Sequence, residues 1–459
     1  MAAEPITRSI EYDLEQLLRP NKKKGAALLH HNVILITGPR QVGKTTLVRS
    51  VLRQRKIPYV EWNLEKTPAL AAHIDRCEDF DAFTEWLQLA QHFSLGKGQV
   101  LFIDEAQESH RLGQFVRFMK EDERWAQQHV ILSGSIMSQL FREVRFPVGR
   151  VTRLCVQTFS FEEFLRTHNQ SLLAHLHAPS LQPLTPQVHT LTLQLLDQYL
   201  TVGGLPEVVT QYDPRGKDKT WQQTRENLLY GYFQDFRRVH GEERHHYLAA
   251  ALKTTAHLLG MPFKNSHVSL LLDGGKNQHI IEALGQLEAW EMIRTIDQRG
   301  PAVESHFHPK RYLFDIGIAK QLRETTIPPI ALLQTLNAAQ RQPLGGLIEN
   351  VAANALAAYS HESAGLAGWK KASSGSEVDF VIQHRGTTIP IECKAALHIK
   401  NTHLTGLHDF LRQHHTTLGV LVGLAPLELR AVSDQEHVLI VPLYFMDWLH
   451  HLLNLVGHS

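Results

Sequence analysis

The string GPRQVGKTT at 38–46 spaces two glycines and a Lys-Thr pair as G-x-x-x-x-G-K-[ST]. A loop of this kind turns successive main-chain N–H groups toward phosphates, helped by the N-terminus of the helix that follows. Gly38, Pro39, Arg40, Gln41, Val42, Gly43, Lys44, Thr45 and Thr46 are therefore the expected cradle for ATP. Lys44 would reach the β- and γ-phosphates and the Thr45 hydroxyl would sit on Mg²⁺. Further along, VLFIDEAQ closes an apolar run with Asp104 and Glu105. A carboxylate at the tip of a buried run needs a cation or donors, which assigns Asp104 to the metal. Glu105 is then placed to polarise an attacking water as general base. With Lys44 and Thr45, the two acids point to ATP hydrolysis and not to binding alone.

A third apolar run, VILSGS, delivers Ser133 and Ser135 to its carboxyl end, where open α/β sheets hold ligands. Ser133 reads either as a polar sensor of the γ-phosphate or as a turn-capping serine. Arg142, Arg145 and Arg150 follow. Arg150, in VGRV, is the preferred arginine finger for a neighbouring subunit's nucleotide, which would require a homo-oligomer; the alternative is an ordinary surface ion pair.

These residues need elements to position them. VILIT at 33–37, VLFID at 100–104 and VILSGS at 130–135 are short apolar runs separated by helical patterns, the signature of a parallel sheet in an α/β fold. An amphipathic helix is expected over 10–30. The basic run Lys22, Lys23, Lys24 could meet phosphates, but a solvated helix end is the better reading. Pro179, Pro183 and Pro186 mark 171–187 as a connection. From 188 to 260 the spacing is helical, interrupted by GGLP at 203–206. Residues 246–310 give helix, short helix, helix, then strands at 291–296 and 304–309 around a Gly-Pro turn, the outline of a winged helix. The helix at 276–290 begins with Lys276, Asn277, Gln278 and His279, where base contacts are made, beside Arg294 and Arg299 of the hairpin. Its acids Glu282, Glu288 and Glu291 oppose a phosphate surface, so a protein partner stands beside DNA as a reading. From 341 the chain opens with a helix and passes into strands at 377–383 and 388–394.

A length of 459 residues allows about three domains of ordinary size. Lys plus Arg number 47 against 46 Asp plus Glu, so no global field announces a nucleic-acid partner and any DNA contact must be a local patch. Hydrophobic residues at 43% exclude a disordered chain. The 29 histidines make net charge climb steeply just below neutrality. Cys77, Cys155 and Cys393 form no CxxC pair, so neither a disulfide framework nor a zinc knuckle is expected, and a reducing compartment fits. The acidic N-terminus and the lack of a long apolar run argue for a cytoplasmic protein with no membrane partner. His403, His408, His414 and His415 match no zinc spacing and are not assigned to a metal; Trp62, Trp86 and Trp369 read as packing residues.

The order GPRQVGKTTL, VEWNLE, LFIDEAQ, ILSGS, VGRV, FSFEEFL at 159–165 and GGLPEVV at 203–209 resembles a widespread family of prokaryotic AAA-type P-loop ATPases fused to a C-terminal domain of unknown function. The similarity continues through HPKRYLFDIGIA, LIENVAANAL, GSEVDFVI and IPIECK, and so covers nearly the whole chain. The resemblance implies a P-loop NTPase parallel sheet at 1–165, a helical lid and connection at 166–245, a winged helix at 246–325 and a restriction-endonuclease-like α/β domain at 326–459. The proline- and histidine-rich stretch at 171–187 departs from the family and blurs the lid boundary.

In such a terminal domain, Asp379, Glu392 and Lys394 would form a D, E-x-K set. Glu377 and Asp379 share one face of a strand, and Glu392 and Lys394 stand two apart on the next. Asp379 and Glu392 would hold Mg²⁺, while Lys394 orients or deprotonates the water that attacks a phosphodiester. Beside acids Lys394 should stay charged, which suits a positioner better than a base. Glu349, on the preceding helix, could supply a further acid. Two functions follow: an ATPase coupled to a nuclease-like domain acting on DNA, or an ATP-gated switch whose terminal domain binds a partner and cuts nothing.

Overall fold

In the computed structural model the described residues are 6–19, 33–96, 98–141, 145–272, 275–299, 307–323, 327–359, 366–371 and 375–457. Lys22, Lys23, Lys24 and Arg142 lie outside them, and the helix expected over 10–30 is described as Glu11–Leu18. The chain divides into two compact units: residues 1–157 with 289–291, and 158–288 with 292–459.

The first unit is built on β1 (Val33–Thr37), β2 (Tyr59–Asn63), β3 (Val100–Asp104), β4 (Val130–Ser133) and β5 (Val151–Cys155). All pair in parallel, in the order β2-β3-β4-β1-β5. Val33, Leu35, Leu101, Ile103, Val130 and Leu132 pack on one face with Phe83, Phe115 and Trp125. Ile34, Ile36, Val100, Phe102 and Ile131 pack on the other with Leu47, Val48 and Val51. Burial on both faces explains why these strands read as continuous apolar runs without alternation. Because all strands run the same way, Thr37, Asn63, Asp104 and Ser133 end on one edge of the sheet.

The second unit carries a mixed sheet of eight strands: β6 (Ile293–Arg299), β7 (Lys310–Leu313), β8 (Ala367–Lys370), β9 (Glu377–His384), β10 (Thr387–Cys393), β11 (Leu418–Gly423), β12 (Glu428–Ala431) and β13 (His437–Pro442). Their order is β12-β13-β11-β10-β9-β8-β6-β7. The second hairpin strand is described as Lys310–Leu313; of the stretch expected at 304–309, residues 307–309 are not in a strand and 304–306 lie outside the described residues. The pairing Ile293↔Leu313 to Ile296↔Lys310 sets that register, which puts Ile296, Tyr312 and Leu313 in the core. β6 also runs parallel to β8, so the hairpin continues the terminal sheet.

Helices Thr220–His257, Asn265–Ser269 and Asn277–Ala289 precede the hairpin in the expected order, and the first breaks at Gly241, where φ is 71° and ψ 175°. Helix Gln170–Leu176 occupies the start of the stretch expected to be only a connection; the prolines follow it. GGLP and FDIG fasten to one another. The buried Asp315 carboxylate accepts from Gly204 N at 2.7 Å and, as a helix cap, from Ile318 N at 2.8 Å. A Cβ on Gly204 would lie 2.2 Å from the Phe159 carbonyl, so FSFEEFL closes the same knot. These three motifs meet within the second unit. Among the described residues no helix is long and apolar enough to cross a membrane.

Candidate functional site

β1 runs directly into the loop 38–43, and helix Lys44–Gln54 starts behind it with no side-chain cap on its first turn. Gly38 has φ +136°, and a Cβ there would lie 2.1 Å from the Val156 carbonyl oxygen, so the close approach of loop to backbone requires glycine. Arg8 braces the loop from below, donating to Val42 O at 2.7 Å and Gln157 O at 2.7 Å. Lys44 is 6% exposed, and its ammonium donates to Gly38 O at 2.9 Å and Pro39 O at 2.8 Å. Burial pulls its pKa down to about 8, although Glu105 and Asp104 pull the other way.

Asp104 gathers two strand ends and the first turn of the helix Lys44–Gln54. Its carboxylate accepts from the Thr45 hydroxyl at 2.9 Å, from Asn63 Nδ2 at 3.0 Å and from the Ser133 hydroxyl. Inserting β4 between β1 and β3 is what brings Ser133 to Asp104. The serine expected to sense a γ-phosphate thus directs its hydroxyl hydrogen to the acid in this state. Glu105 sits in the left-handed region at φ 51°, its carboxylate held by Gln107 Nε2 at 2.6 Å and Ser135 Oγ at 3.3 Å. A Cβ at Gly134 would lie 1.9 Å from Gln107 Oε1, so this glycine leaves room for the amide that fixes Glu105.

Among the cradle residues Val42 is buried, while Gln41 and Thr46 are exposed. Arg40 approaches Glu65 at 3.9 Å. Arg150 is ion-paired with Glu121, and Arg145 is exposed. Asn63, Gln107 and Arg8 were not singled out from the sequence. Asn63 meets Asp104 only through the β2–β3 register, and Arg8 reaches the loop across 34 residues of chain.

The terminal carboxylates also converge, within the second unit. β9 and β10 are antiparallel with Ile391 opposite Phe380, which brings Asp379 beside Glu392. Asp379 accepts from Cys393 N at 2.8 Å and from Lys310 Nζ at 2.6 Å. Glu392 pairs with Lys394, the first residue after β10. Glu349 accepts from Tyr312 OH at 3.0 Å and Lys310 Nζ at 3.4 Å. Burial, then the nearby Asp379, pushes Glu349 up to about 8 and Glu392 well above the carboxylate range. Burial works against the Lys394 ammonium, yet Glu392 and Asp379 raise it, in keeping with a charged positioner.

Lys310 and Tyr312 were missed because alternation in KRYL gives a short edge strand no distinguishing signal. Among the described residues no group of three or more His, Cys, Asp or Glu is arranged to hold a metal. The histidines at 403, 408, 414 and 415 form no such group either; His414 stacks on Phe410 with ring centroids 4.1 Å apart. Trp62 and Trp369 are buried as packing residues, and Trp86 lies against Trp62.

Residues 30–165 match the model of an AAA domain family. Residues 193–328 match a domain of unknown function, DUF8612, and residues 344–444 a second one, DUF4143. No curated protein matches the chain by sequence. Among solved structures, a Walker-type ATPase of Pyrococcus abyssi is similar at 18% identity and a TM-score of 0.45, over 70% of this chain and 97% of that one. By the family match, residues 30–165 are an AAA domain.

Proposed function

We propose that the chain is a Mg²⁺-dependent ATPase whose ATP cycle governs a nuclease-like terminal domain acting on DNA. The observation that carries the ATPase is the convergence on Asp104 of Thr45, Asn63 and Ser133, next to a loop into which the Lys44 ammonium folds. Main-chain carbonyls are weak partners for a buried cation, and phosphate oxygens are stronger ones, so this loop suits a triphosphate. The Thr45 hydroxyl and Asp104 carboxylate form a hard oxygen pair 2.9 Å apart that fits Mg²⁺. When bound, that ion neutralises charge on the β- and γ-oxygens. Lys44 donates to the phosphates. Glu105 accepts a proton from the attacking water at its carboxylate, which Gln107 and Ser135 keep in one orientation. Arg150 would serve a neighbouring copy of the chain only after leaving Glu121.

For the terminal domain, Asp379, Glu392 and Lys394 on adjacent strands support the restriction-endonuclease-like reading, with the two acids as metal ligands. The helices and hairpin over 220–313 support a winged-helix contact with DNA. A second reading, an ATP-gated switch that cuts nothing, is favoured by the ion pair that Lys310 makes with Asp379.

The test is ATP turnover with Mg²⁺, with and without DNA, alongside plasmid cleavage. Turnover lost in Lys44→Ala, and cleavage lost in Asp379→Ala, are expected. Full turnover in Lys44→Ala overturns the site, and no cleavage with any metal or nucleotide leaves the switch.

A further inference from the structure

We propose that Arg153 is a further phosphate ligand of the nucleotide site, and that Glu291 and a bound triphosphate compete for its guanidinium. This rests on the reading of 38–46 as a triphosphate cradle. It adds an arginine that acts within one chain and is distinct from Arg142, Arg145 and Arg150.

Arg153 lies in β5, and Glu291 is one of the three residues, 289–291, that join the first unit from far along the chain. The parallel pairing of β1 with β5 sets Cys155 beside Thr37, the residue before Gly38. Val156 N donates to Thr37 O at 2.8 Å, so the end of β5 is tied to the point where the strand becomes the loop. Arg153 Nε donates to Thr37 Oγ1 at 3.1 Å, and its Nη2 is ion-paired with Glu291. Lys44 Nζ donates to the carbonyl of the next residue, Gly38, at 2.9 Å. The guanidinium and the ammonium are therefore attached to consecutive residues at the start of the cradle.

Glu291 supplies an anion to this group. One carboxylate oxygen faces Arg153, and the other accepts from the Cys155 thiol at 2.8 Å. The same carboxylate favours the charged form of Lys44. A fixed carboxylate at the entry to a phosphate loop takes the place in the electrostatics that phosphate oxygens fill, and it repels them.

The two partners differ in freedom. Glu291, with its side chain 17% exposed, keeps the Cys155 donor when the guanidinium leaves. The Arg153 side chain is 38% exposed, so water screens its pair with Glu291 and the pair is of modest strength. A triphosphate carries more charge than a carboxylate, and the guanidinium fork can give it two parallel N–H bonds. Exchange therefore runs toward the nucleotide and requires rotation of the Arg153 side chain alone.

The experiment is calorimetric titration of the full chain at pH 7 with Mg²⁺ and ATP, and in parallel with tripolyphosphate, which has the phosphates and neither base nor ribose. Glu291→Gln should bind both at least about threefold tighter than the parent, because the competing charge is gone. Arg153→Met should bind both about tenfold more weakly, the worth of one charge-assisted hydrogen bond. A pair that only ties strand to loop cannot give a gain in affinity when it is broken. A folded Glu291→Gln that binds no tighter overturns the proposal, as does a folded Arg153→Met that stays within about twofold of the parent. A loss for ATP without a loss for tripolyphosphate places Arg153 on the base or ribose and overturns the phosphate contact. Where a variant fails to fold, Glu291→Asn, which suits the left-handed backbone at φ 58°, and Arg153→Lys, which lacks the planar fork, take their places with the same signs required. ATP binding that Lys44→Ala removes and the Arg153 and Glu291 variants leave unchanged overturns this proposal and keeps the nucleotide site. No ATP binding by the parent overturns both, and the expected shifts without ATP turnover keep the contact while sinking hydrolysis.

Discussion

In the proposed nucleotide site, Lys44 joins recognition to a pH signature. Burial depresses its free-state pKa to about 8, whereas a triphosphate favours the charged form. Nucleotide binding therefore draws on the protonated lysine. Affinity should be flat below pH 8 and weaken by up to about tenfold per unit above it. Titration of a fluorescent ATP analogue from pH 7 to 10 checks this; a flat profile through pH 10 in the parent contradicts it, and Lys44→Met should be weak at every pH. Gly134 gives a second residue-level test. Its missing Cβ leaves space for Gln107 Oε1, so Gly134→Ala should push that amide away from Glu105. We expect kcat for ATP to fall about tenfold or more with little change in nucleotide affinity, since the proposed role of Glu105 is on the water and not on the phosphates. An equal loss in affinity would place Gly134 in the nucleotide cradle instead. The spacing of 38–46 and the DE pair is legible in the sequence because a phosphate loop and a strand-tip acid are local patterns. Gln107 and Gly134 meet through tertiary packing across 27 residues, which no local pattern records.

At the scale of elements, β7 pairs along its length with β6 and is tied at its end to the helix Ala338–Tyr359. Asn350 is fully buried and satisfies both the N–H and the carbonyl of Leu313. Asn350→Ala removes the partner of the Leu313 N–H, while the carbonyl keeps Asn354 Nδ2 at 2.9 Å, so the cost is that of one unpaired main-chain group, about 1–3 kcal/mol. Urea unfolding should show a loss of roughly 1 kcal/mol or more, and a change under about 0.5 kcal/mol, the range of ordinary surface substitutions, would mean that water reaches the gap. The motif LIENVAANAL becomes intelligible here: Glu349 faces the lysine, and Asn350 and Asn354 face the strand end. Helical periodicity was readable in that segment. The partner strand was not, because residues 304–309 and 310–313 both offer short runs with alternating side chains, and only pairing with β6 chooses the register.

For the whole molecule, pH dependence sums over buried groups of opposite sign. Asp447 accepts from Glu162 N at 2.7 Å, and burial holds its pKa at about 7, far above an unfolded aspartate. The folded state therefore keeps a proton that the unfolded chain has lost. This contribution is complete at low pH and is lost as pH rises through about 7. His129, His168 and His189 are lowered by burial and act oppositely, costing stability as pH falls below the ordinary histidine range. Asp447→Asn should remove only the first effect. Its stability relative to the parent should rise between pH 5 and about 7, and parallel unfolding profiles for the two proteins would refute the assignment.

The sequence by itself determined the G-x-x-x-x-G-K-T spacing at 38–46, the acids Asp104 and Glu105 at the end of an apolar run, the short apolar strands and the pattern of Asp379, Glu392 and Lys394, because each is written in consecutive residues or a fixed short period. Only the tertiary structure decided that β4 lies between β1 and β3 and hands Ser133 to Asp104, and that Lys310 crosses 69 residues of chain to reach Asp379. Both depend on strand order and register, which are set when faces of the sheets are buried together. That choice is made by packing over long separations and leaves no trace at the scale of a motif.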